Sequence, residues 1–306
     1  DLARTRNCRQ ELTDYQSVWD REYARELIRG NRMRKRPMDL QGKRVVLTGA
    51  SSGIGRELAL ALADRGAMLV LAARRHELLD DVAAEIATAS HQQPRVVTVD
   101  LSVPGAAKSL GEHSLDVFGG TIDIVINNAG ASVAGPQALV ADSPWVRELF
   151  EVNLWSPLAL SAAVLPAMQK AGAGTIVNVT STVQAVPLPL LGYYSASKAA
   201  LAQATRSLRL ELAETPIRVM EVVPGSTDTP LRDIGELPWK SKPPRTLRPV
   251  SPKSTAAVIV RALQRGATRV VYPAYSLIPL ELPAFGRLVA AVGGRRIDTR
   301  AAMQGR

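Results

Sequence analysis

Cysteine is nearly absent from this sequence: Cys8 stands alone in 306 residues. No intramolecular disulfide framework can form, and a reducing compartment is the simple expectation. Histidine is scarce too. His76, His91 and His113 are scattered along the chain, with no spacing that gathers ligands, so neither zinc nor another metal is expected. Aromatic residues make up 4% of the chain, too few to interleave with basic residues as stacking platforms, which argues against nucleic-acid binding. Also missing is an uninterrupted apolar run of the ~20 residues a membrane-spanning helix needs. The nearest, SLIPLELPAFGRLVAAVGG, is broken by Pro279, Glu281, Pro283 and Arg287. The sequence opens on Asp1 rather than Met, which leaves a removed leader open, and the N-terminal stretch carries no charged-then-apolar signal pattern. A cytoplasmic protein is expected, with peripheral membrane contact as an addition.

The rest of the composition is ordinary for a globular chain: 46% hydrophobic and 22% charged residues, enough to bury a large core in one or two domains. The formal net charge of +10 is concentrated at the ends and in one loop. Arg4, Arg6, Arg9, Arg32, Arg34, Lys35 and Arg36 mark the N-terminus; Lys240, Lys242, Arg245 and Arg248 the loop; Arg287, Arg295, Arg296 and Arg300 the tail. Solvated surface is the plain reading, and anionic lipid or an acidic partner the sharper one.

The chain divides into three regions. Residues 1–38 form an appendage in which Leu12, Tyr15, Trp19, Tyr23 and Leu27 recur at three- and four-residue steps, an amphipathic helix followed by a basic linker. It would pack on the parent domain or a partner subunit, or lie on a membrane surface. Residues 39–275 alternate short apolar runs with helical stretches. KRVVLTGA, AMLVLAAR, RVVTVD, TIDIVINNAG, TIVNVTS, IRVMEVVPG and RVVYP read as seven strands. Helices fall between them, the longest over about 143–171 and another starting near Tyr194. This is the pattern of one α/β domain, a Rossmann-like, doubly wound parallel sheet with helices on both faces. Residues 276–306 form an apolar tail, expected to close over a pocket or to insert shallowly at an interface.

VVLTGASSGIGREL places Gly49, Gly53 and Gly55 between the first strand and a helix. Glycines there allow a sharp turn and close approach of a phosphate to backbone N–H groups at the helix N-terminus, so a dinucleotide pyrophosphate is the expected ligand. The second strand ends Ala73, Arg74, Arg75. An acidic residue at this point would accept a ribose 2′-hydroxyl, whereas cations suit a 2′-phosphate. NADP(H) is therefore expected, with Arg74 as the main phosphate contact. In GYYSASKAAL, Tyr194 and Lys198 are four residues apart and share a helix face, while Tyr193 points away from Lys198. An adjacent ammonium favours the phenolate, bringing a tyrosine towards acid/base chemistry.

TGASSGIG at 48–55, NNAG at 127–130, Asn153, Ser181, YSASK at 194–198 and PG at 224–225 fall in one order. Together they closely resemble the classical short-chain dehydrogenase/reductase family over about residues 40–272. The resemblance implies a catalytic set of Asn153, Ser181, Tyr194 and Lys198. Ser181, thirteen residues before Tyr194, would hold the substrate carbonyl oxygen. Lys198 would orient the ribose and lower the tyrosine pKa, and the backbone of Asn153 would hold a water linking the lysine to solvent. The implied cofactor contacts are Gly49, Ser51, Ser52, Gly53, Ile54, Gly55, Arg74, Arg75, Asp100, Leu101, Asn127, Ala129 and Gly130. Beyond these come Tyr194, Lys198, Pro224, Gly225, Thr227 and Thr229. Asp100 resembles the acid that meets the adenine amino group, with a strand-end helix cap as its competing role. Thr227 stands where the common family pattern has an aliphatic residue.

The expected activity is hydride transfer between NADP(H) and a carbonyl or secondary alcohol, in the reducing direction. A loop over Pro230–Pro252, mixing Leu231, Ile234, Leu237 and Trp239 with lysines and prolines, suits a lipophilic ketone such as a ketoacyl lipid or steroid-like molecule. An NADP-binding regulatory or scaffold protein without turnover is the alternative, and a membrane-surface protein with a borrowed fold a third reading. Family members often assemble as homodimers or homotetramers through the helices starting near Trp145 and Tyr194.

Overall fold

A computed structural model describes residues 38–90, 93–141, 143–231, 237–240 and 249–303. The expected N-terminal helix and its basic linker, Ile234, Lys242, Arg245 and Arg248 lie outside the described residues.

Seven parallel strands run β1 (Arg44–Thr48), β2 (Met68–Ala73), β3 (Arg95–Thr98), β4 (Ile124–Asn127), β5 (Gly174–Val179), β6 (Ile217–Pro224) and β7 (Arg269–Tyr272), in the spatial order β3-β2-β1-β4-β5-β6-β7. The chain builds outward from β1 to β3, then crosses back to place β4 against the other side of β1. A parallel sheet with that reversal leaves a crevice beyond the carboxyl ends of β1 and β4.

Strand side chains alternate between two packed layers, as the period of two requires. Val45 and Leu47 of β1 and Ile124 and Ile126 of β4 point into one layer. There they meet α1 (Gly53–Ala63), α2 (His76–Ser90) and α8 (Pro252–Gln264). Val46 and Val125 point into the other, against α3 (Ala106–Val117) and α6 (Ser156–Lys170). Both strands are buried on both faces, which is why they read as continuous apolar runs. α4 (Gln137–Val140) is a single turn, and α7 (Gly192–Glu211) packs behind β6.

The helix expected over about 143–171 is divided into α5 (Pro144–Phe150), a π-turn (Glu151–Trp155) and α6. Pro157 has no N–H and cannot donate to the carbonyl of residue 153. The N–H of Ser156 instead reaches back to the carbonyl of Glu151, the longer π spacing. By length and composition Pro144–Lys170 could cross a membrane, but Leu160, Val164 and Met168 are core residues on the sheet.

After β7 the tail forms α9 (Leu277–Glu281), α10 (Pro283–Gly294) and α11 (Thr299–Met303). It joins the loop at 237–240 through a Trp239–Ile297 bridge and a 2.7 Å bond from the Asp298 N–H to the Pro238 carbonyl. Ile297 completes an apolar cluster with Leu188, Leu191 and Leu237. Among the described residues, no side chain of the tail lines the cleft at the carboxyl edge of the sheet.

Candidate active site

The turn between β1 and α1 needs its glycines. Gly49 and Gly53 have φ of 67° and 56°, the left-handed region costly for other residues. A Cβ on Gly55 would stand 2.1 Å from the Gly49 carbonyl oxygen, so the helix can approach the turn this closely only with glycine there. The turn is latched to the end of β4. Thr48 Oγ1 accepts from the N–H groups of Asn128 (3.1 Å) and Ala129 (3.0 Å), and Asn128 Nδ2 donates to the Thr48 carbonyl (3.0 Å).

Helix α1 begins at Ser52 without a side-chain capping bond and without an acid in its first turn. Its first N–H groups and the positive end of its dipole therefore face the cleft uncompensated. Arg75 reaches over this turn, donating from Nη2 to Ser52 Oγ (2.7 Å) and Ser51 Oγ (3.2 Å). Partial burial opposes ionisation of Asp100, but the Ser102 N–H and hydroxyl (2.9 and 2.7 Å) and the charge of Arg74 outweigh it. Its carboxyl is held below its ordinary value. With glycines, free helix N–H groups and two arginines, this end of the cleft fits a dinucleotide pyrophosphate and an added phosphate on its ribose.

The other end is built by β5, the π-turn and α7. Ser181 follows β5 and caps the short helical turn Thr182–Gln184, accepting from the Val183 N–H at 3.4 Å. Lys198 is buried, and its Nζ donates to the Val179 carbonyl at 3.0 Å. Burial lowers its pKa from the ordinary 10.5 to about 8, because the ammonium is deprived of water. Nζ of Lys198 and Oδ1 of Asn153 each lie 3.5 Å from where a Cβ on residue 130 would stand, which makes Gly130 the common neighbour of both. Asn153 is fully buried: Nδ2 donates to the Ala131 carbonyl (2.8 Å) and Ser197 Oγ (3.0 Å), and Oδ1 accepts from the Ala131 N–H (2.9 Å). Its side chain thus ties the β4 loop to α7, while its carbonyl lacks the donor that Pro157 cannot supply. The tyrosines part as their spacing requires: Tyr194 lines the cleft, and Tyr193 donates to the Gln137 carbonyl of α4 at 3.2 Å.

Ser181, Tyr194 and Lys198 line one cleft of about 480 Å³ together with every expected cofactor residue except Asn127. Asn127 stands behind the lining. Its Nδ2 is turned into the sheet's far layer, bonding Asn178 Oδ1 (2.8 Å), Ser161 Oγ (3.1 Å) and the Pro157 carbonyl (3.3 Å). The neighbouring Asn128 borders the cleft instead. Asn153 stands behind the lining, as a role through its backbone allows. Thr229 crosses the glycine turn, its Cγ2 2.9 Å from a Cβ built on Gly53.

Unforeseen was a buried charge beneath Ser181. Glu221 Oε1 accepts from Thr180 Oγ1 and Gln184 Nε2, both at 3.2 Å, so one carboxylate holds both flanks of the serine. Its Oε2 is 3.3 Å from Arg269 Nε, a charge pair without hydrogen-bond alignment. Arg269 also pairs with Glu281 of α9. An acid inside the apolar run IRVMEVVP was the available signal.

Residues 43–235 match the model of the family described as short chain dehydrogenase. The chain belongs to the short-chain dehydrogenase/reductase family. Among its relatives in that family, mouse dehydrogenase/reductase SDR family member 7B is 38% identical over 191 residues, 61% of this chain and 58% of the mouse protein. This chain thus spans less than two thirds of that relative's length. An 11-beta-hydroxysteroid dehydrogenase A of Sesamum indicum is 32% identical, covering 78% of this chain and 70% of its own. The NADP-dependent 3-hydroxy acid dehydrogenase of Schizosaccharomyces pombe is also 32% identical, covering 74% and 88%. Of solved structures, a Sphingobium yanoikuyae short-chain dehydrogenase in complex with NADPH superposes with a TM-score of 0.69 at 28% identity, over 82% of this chain and 95% of that one. A Burkholderia phymatum family member in complex with NAD has a TM-score of 0.71 at 23% identity over 80% and 94%, a likeness of fold.

Proposed function

We propose that this short-chain dehydrogenase/reductase is an NADP(H)-dependent carbonyl reductase of lipophilic ketones. The observation that carries the reading is the composition of one cleft: Ser181, Tyr194 and buried Lys198 at one end, the glycine turn with Arg74 and Arg75 at the other. The nicotinamide cofactor, when bound, supplies the hydride. The chain's own residues do the rest. Ser181 donates to the substrate carbonyl oxygen and keeps it beside Tyr194. Tyr194 delivers the proton to that oxygen, and the reverse reaction takes it back. Lys198, a helical turn away, favours the phenolate while it carries its proton. The Asn153 carbonyl, deprived of its helical donor by Pro157, offers an acceptor for a water that replenishes the proton.

Arg75, bonded to Ser51 and Ser52, shares the 2′-phosphate role with Arg74. No acid stands at the end of β2, and the names of the fission yeast and Sphingobium proteins carry NADP and NADPH respectively. Apolar substrates are favoured by Val133, Trp145, Val183, Leu191 and Leu231 on the cleft wall. The sesame relative is named for a hydroxysteroid.

The test is NADPH oxidation with aliphatic, aromatic, acyl-thioester and steroid ketones, run beside NADH. Tyr194→Phe is expected to lower kcat by about 10² to 10⁴ while nucleotide binding persists. Unchanged turnover in that variant would remove Tyr194 as the acid, and equal use of NADH would remove the arginine argument. Turnover of small polar sugars alone would sink the lipophilic substrate.

A further inference from the structure

Six of the fourteen large hydrophobic side chains exposed among the described residues lie between residues 277 and 292: Leu277, Ile278, Leu282, Phe285, Leu288 and Val292, each 42–58% exposed. Single exposed hydrophobics are common on protein surfaces, but a cluster marks an interaction face. Helix α10 is packed the opposite way from a core helix. Its glycines face the protein, where a Cβ on Gly286 would stand 2.8 Å from the Ala185 carbonyl oxygen and 2.9 Å from that of Pro279. One on Gly293 would meet Leu188 at 3.3 Å. No larger side chain fits on that side, so rotating the helix cannot bury Phe285, Leu288 or Val292. At about 100° per residue these three fall within about 60° of one another, and Arg287 projects about 100° further round the helix from Leu288.

The charges around this face are of one sign. Arg287, Arg295 and Arg296 are exposed and make no ion pair among the described residues. The carboxylates of residues 274–303 are engaged: Glu281 with Arg269, and Asp298 through the Arg300 N–H at 3.0 Å. The α9 and α10 segments meet at 105°, which rules out one straight span. A wide apolar face, with Arg287 on the same helix and Arg295 and Arg296 at its C-terminal end, fits an anionic bilayer. A second copy of the chain would bring the same arginines against each other across a two-fold axis.

We infer that the outward face of α9 and α10 docks this protein onto an anionic membrane surface, with the apolar side chains in the interfacial layer and the arginines on lipid phosphates. The inference stands apart from the catalytic reading and concerns the face outside the cleft. The experiment is co-sedimentation of the full chain with phosphatidylcholine vesicles, with and without about 30% phosphatidylglycerol. Binding is expected to be about tenfold tighter with the anionic lipid and to weaken as salt rises. Phe285→Ser with Leu288→Ser should lose about tenfold or more, with the melting temperature and nucleotide binding retained because both side chains are exposed. Arg287→Gln with Arg295→Gln should erase the preference for anionic vesicles. Failure of the wild type to sediment, or equal sedimentation of the serine variant, would overturn the inference. A wild type that ignores vesicles while the serine variant drops from dimer to monomer would assign the face to a second copy instead.

Discussion

Lys198, buried at the wall of the cleft, links the stability of this protein to pH. Its folded-state pKa of about 8 lies below the ordinary 10.5. Below pH 8 both folded and unfolded chains hold the proton, and the folded one bears the full cost of a buried ammonium. Between 8 and 10.5 the folded chain has released its proton while the unfolded chain keeps it, so stability rises with pH. Lys198→Met removes the charge and keeps the length. In the cofactor-free protein the variant is expected to be the more stable at pH 7, and its advantage to shrink by about 2 kcal/mol on going to pH 10. Urea unfolding of both proteins at the two pH values measures the difference, and a gap constant with pH would contradict it. That Tyr194 shares the cleft with Lys198 while Tyr193 turns to Gln137 was legible from the four-residue spacing, because helix geometry fixes which residues share a face. That Asn128 rather than Asn127 borders the cleft was not. Which of two adjacent residues at a strand end turns into the cleft depends on the partners of each, and Asn127 is claimed by Asn178 and Ser161.

At the scale of elements, β6 and β7 do more than complete the sheet. Glu221 joins Thr180 and Gln184, which flank the serine, to Arg269, and Arg269 joins the tail at Glu281. Arg206 stands further off, at 4.0 Å from Glu221. Removing one partner of a buried pair leaves its charge uncompensated, which costs more than never having built the pair. Arg269→Ala is therefore expected to destabilise the protein by about 3 kcal/mol. Adding Glu221→Gln should restore part of that loss, since the amide still accepts from Thr180 and carries no charge. Thermal melts of the single and double variants separate this coupling from simple loss of packing, for which the second substitution would only add damage. The strands themselves were readable as apolar runs between glycine and helix signals. The break in the long helix was not, although Pro157 was its cause, since a proline permits either a kink or a π-turn and packing decides between them.

For the whole molecule, the alternation of strand and helix fixed a doubly wound sheet and a crevice at its carboxyl edge, because crossover handedness leaves few other arrangements. The tail was harder to foresee: an apolar segment with glycines at helical spacing can present either side, and only the fit of Gly286 against Ala185 selects one. Assembly is the remaining question at this scale. Helices α6 and α7 run side by side on one layer and enclose a shallow groove of about 370 Å³. Leu158, Ala162 and Leu165 line it from one helix, and Ala204 and Leu208 from the other. The small residues let a partner helix approach closely, and a two-fold axis through the groove would bury it against its own copy in a self-complementary contact. A homodimer built this way is expected to bury about 800 Å² per subunit. Ala162 is exposed, so Ala162→Arg should leave the fold intact. Placing an arginine against its symmetry mate should convert the dimer to a monomer in light scattering. A wild type already monomeric, or a variant still dimeric, would move the assembly interface away from α6 and α7.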